Sequence, residues 1–138
     1  MERNSPIWHE RLNTYRNAVT RLAEVIDISR QRKLTQIECD SLIKRFEFSF
    51  EMGWKLLMSY EKDNGVTDLH GSRDTIRQAY RLSLIDNGEA WLEMVDDRNN
   101  TSHLYDEEMT VDIADDIIHT YYPLFVELQK KMEELASR

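Results

Sequence analysis

Apolar residues recur at alternating spacings of three and four along most of the chain, which is the period of an amphipathic α-helix. The first stripe consists of Trp8, Leu12, Tyr15, Val19, Leu22 and Ile26. A second stripe, widened by Ile43, Trp54 and Met58, consists of Leu42, Phe46, Phe50, Gly53, Leu57 and Tyr60. The last consists of Ile113, Ile117, Tyr121, Leu124, Leu128, Met132 and Leu135. The pattern therefore predicts three long helices, of which the second is the most buried.

Two shorter helical segments lie between the second and third long ones, and they end near Leu84 and Arg98. No segment alternates apolar and polar residues with period two over the length of a strand. We therefore predict an all-α fold, an antiparallel up-and-down bundle of about five helices in which the short pair shares the fourth position of a four-helix-bundle core. The length of 138 residues fits a single domain over residues 1–138.

Residues typical of helix starts mark three boundaries. Ser5-Pro6 predicts a hydroxyl N-cap followed by proline at the first helical position. Thr35 and Glu38 have the spacing of a capping box, and Ser72 is the expected cap of the third helix. Gly53 stands inside the second helix, which predicts that another helix packs closely against it.

The later boundaries follow from poor helix formers. Residues 99–102, Asn-Asn-Thr-Ser, favour an end to the fourth helix, and the acidic run 106–108 favours a new start. Pro123 lies inside the last helix, where it removes one backbone hydrogen bond and should kink the rod.

The composition adds limits on function. The single cysteine, Cys39, excludes an internal disulfide, and no apolar run approaches the ~20 residues of a membrane span. We therefore expect a soluble, cytoplasmic protein with no membrane partner.

The whole net charge of −8 comes from residues 71–138, which carry seven basic and fifteen acidic side chains. This imbalance argues against broad binding to a nucleic-acid backbone and suits a basic partner surface. The stripe of Arg73, Arg77 and Arg81 is either a phosphate contact or a solvated helix face.

The stretch from Arg98 to Tyr105 holds the most versatile side chains. Arg98 is the only Lys or Arg between Asp86 and Asp116, a window with eleven carboxylates. In a continuous helix Arg98 and His103 would diverge by about 140° and lie ~7.5 Å apart along the axis. The two side chains converge only if the helix ends between them, or if two copies of the stretch face each other across a dimer axis.

These side chains suit phosphate-ester chemistry. Arg98 is able to hold a phosphate with a fork of donors, His103 to act as general acid or base, and Tyr105 to orient a phosphate or be modified. Glu47, one turn from Glu51, either shares a polar pocket with it or faces water. No His has partners at persuasive metal-ligand spacing, so we expect no metal and no cofactor. The alternative is a purely structural role, in which Arg98 and His103 pair with acids at a helix junction.

Two motifs carry a family resemblance. The run of residues 45–55, RFEFSFEMGWK, and the run of residues 98–108, RNNTSHLYDEE, resemble the nucleotidyltransferase substrate-binding protein family. Arg98, His103 and Tyr105 also match the R-x4-H-x-Y signature of the HEPN-superfamily toxins that pair with minimal nucleotidyltransferases. The likeness extends from Trp8 to Leu135.

The resemblance implies a HEPN-like helical bundle, usually a homodimer, that partners a minimal nucleotidyltransferase encoded nearby. It implies that the chain binds the substrate or nucleotide of that enzyme, or presents Tyr105 for adenylylation, in a module like a toxin–antitoxin pair. The expected modification or substrate-binding residues are Tyr105, Glu47, Asn99 and Ser102. The alternative it implies is a metal-independent endoribonuclease toxin, with Arg98 and His103 as catalytic residues at a dimer interface and RNA as the substrate.

Overall fold

The first two helices form a hairpin closed by side-chain bonds. The computed structural model describes residues 6–101 and 107–138, in which α1 spans Ile7–Gln31 and α2 spans Gln36–Asp63. Oγ1 of Thr35 accepts from the Glu38 backbone (3.1 Å), and the Glu38 carboxylate accepts from the Thr35 backbone (2.9 Å), so the predicted capping box is confirmed. Arg32 adds two hydrogen bonds of 2.7 Å to Glu38. Together these partners, Arg32 first, lower the pKa of Glu38 to about 2.

Two predicted starts differ from the structure. Helix α1 begins at Ile7, so Pro6 is the residue before the helix rather than its first residue, and Ser5 lies outside the described residues. The third helix begins at Gly71, and Ser72 does not cap it, so that prediction was wrong. Ser72 lies inside the first turn because the helix starts one residue before it, and the Asp74 carboxylate accepts a hydrogen bond from the His70 backbone at that start (3.1 Å).

The short helices are α3, Gly71–Arg81, and α4, Gly88–Asn100. Helix α4 starts at a cap in which Oδ1 of Asn87 accepts from the Ala90 backbone (3.1 Å). Its end at Asn100 confirms the boundary predicted from the poor helix formers.

The last rod contains a wide turn. Helix α5 (Glu107–Asp116) continues without a break into a π-helical turn (Ile117–Tyr121) and then into α6 (Tyr122–Ala136). In the π turn the Tyr122 backbone N–H donates to the carbonyl of Ile117, five residues back. Pro123 follows at the start of α6, where its missing N–H is tolerated because the hydrogen-bond register has just shifted by one residue. The sequence predicted the disturbance at Pro123 but not the π turn.

The core confirms the predicted close approach at Gly53. A Cβ on Gly53 would lie 3.0 Å from Cε1 of Tyr15, so α1 and α2 meet there without room for a side chain. The Tyr15 hydroxyl donates to the Phe125 carbonyl of α6 (2.7 Å), and its ring meets the Phe125 ring edge-on. Phe46 stacks on both Phe125 and Tyr121.

The helices pack as the all-α antiparallel bundle that the sequence predicted. Helix α1 packs on α2 and α6, α2 also contacts α3, α4 and α5, and α3 packs on α4. No strand occurs within residues 6–101 and 107–138. None of the helices in these two ranges combines the length and the apolar character that crossing a membrane requires.

Candidate functional site

Three consecutive residues near the end of α4 contact three different helices. The Asp96 carboxylate pairs with Arg73 of α3, and the Asp97 carboxylate accepts a hydrogen bond from the Tyr121 hydroxyl in the π turn. Arg98 points to α2. Because successive helical residues are about 100° apart, the neighbouring acids turn away from Arg98. Within the described part of α4, Asp96 and Asp97 therefore do not face the guanidinium of Arg98.

The guanidinium of Arg98 is held by a network on α2. Its Nη2 lies 3.9 Å from Oε2 of Glu51, and its side chain is 40% exposed. Glu51 is itself fixed, since Trp54 Nε1 donates to it (3.2 Å) and Lys55 Nζ lies 3.4 Å away. The Nε atom of Arg98 is buried and has no hydrogen-bond partner among the described residues. An acceptor from a ligand or from residues 102–106 would satisfy it.

An open groove of about 570 Å³ lies beside this network. Helix α2 forms most of its wall, including Glu47 and Glu51, so the two carboxylates share one pocket, the first of the two arrangements left open by the sequence. The half-exposed ring of Phe48 adds an apolar surface to the same groove. The remaining lining residues are Ala18, Arg21, Ser41, Lys44, Arg45 and Arg98.

The groove is more basic than the sequence suggested. Its lining includes four cations, Arg21, Lys44, Arg45 and Arg98, against the carboxylates of Glu47 and Glu51. Arg45 also braces the hairpin, because its Nη1 donates to the carbonyl of Arg21 (2.5 Å) and to Glu24 (3.1 Å). Sequence reasoning missed Arg21, Lys44 and Arg45 as site residues, although Arg45 is the first residue of one family motif and Lys44 precedes Glu47 by one helical turn. Arg21 and Arg98 reach this part of α2 only through the packing of α1, α2 and α4.

Lys44 and Glu47 form a loose pair in this groove. Lys44 Nζ lies 3.8 Å from Oε2 of Glu47, and the Lys44 side chain is mostly exposed. A pair of this length is weak in water, so an anionic ligand is able to displace Glu47 as the partner of Lys44.

The remaining predicted site residues are placed as follows. Asn99 is exposed and does not line the groove. Ser102, His103 and Tyr105 lie outside the described residues, so the convergence of Arg98 and His103 remains a prediction. Among the described residues no three His, Cys, Asp or Glu side chains stand close enough to hold a metal ion.

The opposite side of α4 is acidic and partly buried. Burial, and then the hydrogen bond with Asp97, raise the pKa of the Tyr121 phenol. Burial also raises the pKa of Asp116, with a further contribution from the charge of Asp97. Tyr121 therefore remains a neutral donor that holds Asp97 against the last rod, which leaves Arg98 directed toward the groove.

Comparison with known proteins gives a match along nearly the whole chain. Residues 10–134 match the family described as "Nucleotidyltransferase substrate binding protein like". The chain is also 36% identical over 70 residues to the probable ribonuclease HepT of Haemophilus influenzae. That match covers 48% of each protein, so it spans about half the length of this relative.

Solved structures share the bundle. A protein from Thermus thermophilus superposes with a TM-score of 0.74 at 26% identity, covering 90% of this chain and 99% of that one. The tri-AMPylated Shewanella oneidensis HEPN toxin in complex with the MNT antitoxin gives a TM-score of 0.75 at 19% identity, covering 95% and 99%. At this identity the second likeness concerns the fold alone.

Proposed function

This chain belongs to the nucleotidyltransferase substrate binding protein-like family, and we propose that it is the helical subunit of a two-gene module, working with a separately encoded minimal nucleotidyltransferase. The observation that carries the proposal is the groove in which Arg98, from one family motif, meets Glu47 and Glu51, from the other. An excess of basic side chains in a groove with one exposed aromatic ring suits a nucleotide or another phosphate-bearing ligand.

Two roles fit the groove within this module. In the first, it binds the substrate or nucleotide of the partner enzyme, with Arg98 and Lys44 facing the phosphates. In the second, the chain is itself the substrate: the phenol oxygen of Tyr105 attacks the α-phosphorus of ATP, pyrophosphate leaves, and the phenolic proton passes to a base of the partner. The AMPylated state of the Shewanella toxin supports the second role.

Co-purification with the nucleotidyltransferase encoded beside this chain tests the partnership, and intact-mass measurement after incubation with that enzyme and ATP tests the modification. We expect a stable complex and a mass gain of one or more adenylyl groups. Tyr105→Phe should remove one adenylyl group, whereas Tyr122→Phe, a partly exposed tyrosine on α6, should change nothing. Absence of association at micromolar concentration would reject the partnership.

A second candidate function is metal-independent RNA cleavage. The half-exposed guanidinium of Arg98 and the likeness to a probable ribonuclease favour it. His103 takes the proton of a ribose 2′-hydroxyl, the 2′-oxygen attacks the adjacent phosphorus, and the 5′-oxygen leaves with a proton, giving a 2′,3′-cyclic phosphate and a 5′-hydroxyl. Arg98 stabilises the charge of the phosphorane. In a homodimer, Arg98 of one copy and His103 of the other complete each site.

Expression without the partner tests this activity. We expect growth arrest with cleaved RNA, and relief of the arrest by Arg98→Ala or by His103→Ala. Arg30→Ala is the control, because Arg30 is exposed at the end of α1 and does not line the groove. If the protein expressed alone affects neither growth nor RNA, the ribonuclease proposal is wrong. The proposal of a subunit that partners a nucleotidyltransferase would be unaffected by that result. Sedimentation analysis at micromolar concentration tests the homodimer.

A further inference from the structure

A second groove, of about 590 Å³, opens between α3 and α4 and shares no lining residue with the Arg98 groove. Helix α3 contributes Arg77, Tyr80 and Arg81 to it, and the start of α4 contributes Asn87 and Gly88. The aliphatic side chains in its lining are Ile76, which is fully buried, and Leu92, which is partly buried. The groove therefore combines an aromatic and aliphatic surface with several charged and polar groups, which suits a ligand that has both a flat apolar ring and polar substituents.

The ring of Tyr80 is held in place and open to the solvent. A Cβ on Gly88 would lie 3.2 Å from Cδ1 and 3.3 Å from Cγ of Tyr80, so the ring rests against glycine backbone. Tyr80 nevertheless remains 56% exposed. An aromatic ring that is supported on one side and exposed on the other is a platform on which a nucleobase stacks without reordering the protein.

Two weakly engaged guanidinium groups flank this ring. Nη1 of Arg77 lies 3.9 Å from Asp74, and Nη1 of Arg81 lies 3.5 Å from Oε1 of Gln78. Both distances are at the limit of an interaction, and both side chains are exposed. Because they stand four positions apart, Arg77 and Arg81 project from the same helix face about 6 Å apart along the axis. Both remain free to donate to phosphate oxygens.

The wall from α4 supplies the groups that a base or a ribose needs. Oδ1 of Asn87 is used by the helix cap, and its amide NH2 has no hydrogen-bond acceptor in the described part of the chain. The carboxylates of Asp86 and Glu89 also line the groove, and they accept from amino groups or ribose hydroxyls.

We propose that this groove binds a nucleotide, with the base stacked on Tyr80 and the phosphate held by Arg77 and Arg81. The nucleotide is either one unit of a single-stranded RNA or a free nucleotide such as AMP, since both present the same base and phosphate. The inference does not rest on the proposed function, because its residues lie outside both family motifs. The sequence left two interpretations of the arginine stripe, a phosphate contact or a solvated helix face. The proposal chooses the phosphate contact for Arg77 and Arg81.

Fluorescence anisotropy of a labelled single-stranded RNA of about ten nucleotides tests the proposal. The parent protein for these measurements is the full-length Arg98→Ala variant. This substitution weakens RNA binding at the Arg98 groove and prevents RNA cleavage that depends on Arg98. We expect Tyr80→Ala to weaken binding at least about five-fold, and Tyr80→Phe, which keeps the stacking face, to stay within about two-fold. Arg77→Ala and Arg81→Ala should each reduce the slope of log affinity against log salt by about 0.7. Arg30→Ala is the charge control.

Competition distinguishes the two sources. Displacement of the RNA by millimolar AMP indicates a free-nucleotide site, and displacement by unlabelled RNA alone indicates a strand-binding site. Equal binding by the parent and by Tyr80→Ala, or no binding of RNA or AMP at millimolar concentration, would overturn the proposal. Loss of co-purification with the nucleotidyltransferase in Tyr80→Ala, with RNA and AMP binding intact, would also overturn it in favour of a protein surface. Because the RNA and AMP binding measurements need neither Tyr105 nor the partner enzyme, their failure is distinguishable from failure of the proposed function.

Discussion

The hydroxyl of Tyr121, in the π turn of the last rod, donates a hydrogen bond to the carboxylate of Asp97, the residue directly before Arg98. The bond ties the end of α4 to the rod that follows it. Arg98, the next residue, projects toward α2 from the neighbouring side of the same turn.

Removal of this hydroxyl should destabilise the fold and loosen the site. Tyr121→Phe keeps the ring that stacks on Phe46, so it isolates the hydrogen bond. We expect the free energy of unfolding to fall by about 1–3 kcal/mol, because the partly buried Asp97 carboxylate loses its donor. Urea denaturation measures the loss. Tyr122→Phe, a nearby tyrosine with no such bond in the described residues, should be near neutral.

Arg98 itself should contribute little to stability. Its ion pair with Glu51 is 3.9 Å long and its side chain is 40% exposed, so Arg98→Ala should lower the free energy of unfolding by less than about 1 kcal/mol. Binding of a phosphate-bearing ligand, or growth arrest, should nevertheless be lost. Arg98→Lys should restore the charge but not the fork of donors, and so give partial activity at most. A loss of stability of ~1–3 kcal/mol with activity intact would identify Arg98 as a structural residue.

Gly53 should not tolerate a side chain. Alanine there would place a methyl group 3.0 Å from Cε1 of Tyr15, and that ring is fixed by its bond to the Phe125 carbonyl. We expect Gly53→Ala to lower the free energy of unfolding by about 1–3 kcal/mol, in spite of the higher helix propensity of alanine. Thermal unfolding by circular dichroism measures this. Lys62→Ala, on the exposed side of the same helix, is the control and should have little effect.

Because of Glu61, the free energy of unfolding should decrease as the pH rises from acidic to mildly alkaline. This side chain is fully buried near the end of α2, and neither carboxylate oxygen has a hydrogen-bond partner among the described residues. Burial raises its pKa to about 8, against about 4.3 in the unfolded chain. Between these values the folded state binds more protons than the unfolded state, so the free energy of unfolding decreases as pH rises.

Replacement of Glu61 by Gln should remove this part of the pH dependence. At pH 8 we expect Glu61→Gln to be more stable than the wild type by on the order of 1–3 kcal/mol, and at pH 5 the two should be similar. Denaturation at several pH values compares the slopes. Parallel slopes for the two proteins would mean that Glu61 is ionised in the folded state.

Those features of the fold that depend on a few neighbouring residues could be predicted from the sequence. The capping box and the close approach at Gly53 were predictable, because each follows from a few neighbouring residues or from one stripe. The Ser72 cap was wrong, because the helix starts at Gly71 and so includes Ser72 in its first turn, where the Asp74 carboxylate accepts from the His70 backbone. The π turn was missed because Pro123 signals a disturbance without giving its form.

The site was predictable in part. The family motifs indicated Arg98 and Glu47, and both line the groove. The charge of that groove was predictable only in part, because Arg21 reaches it through the packing of α1 on α2, whereas Lys44 stands one helical turn before Glu47 on the same helix. The eleven carboxylates near Arg98 in sequence suggested an acidic environment, but Asp96 and Asp97 are directed to other helices by the helical rotation.

The π turn holds one residue more than an α-helical turn would need between the same two ends. Ile113, Ile117, Tyr121 and Phe125 are all buried at spacings of four, and in a regular α-helix each such step would carry the side chain about 40° further round the axis. The wide turn absorbs this drift, so that both halves of the rod face the bundle. A one-residue deletion within residues 118–120 should therefore be tolerated better than a one-residue deletion in the middle of α6, which would turn the end of the rod by about 100°.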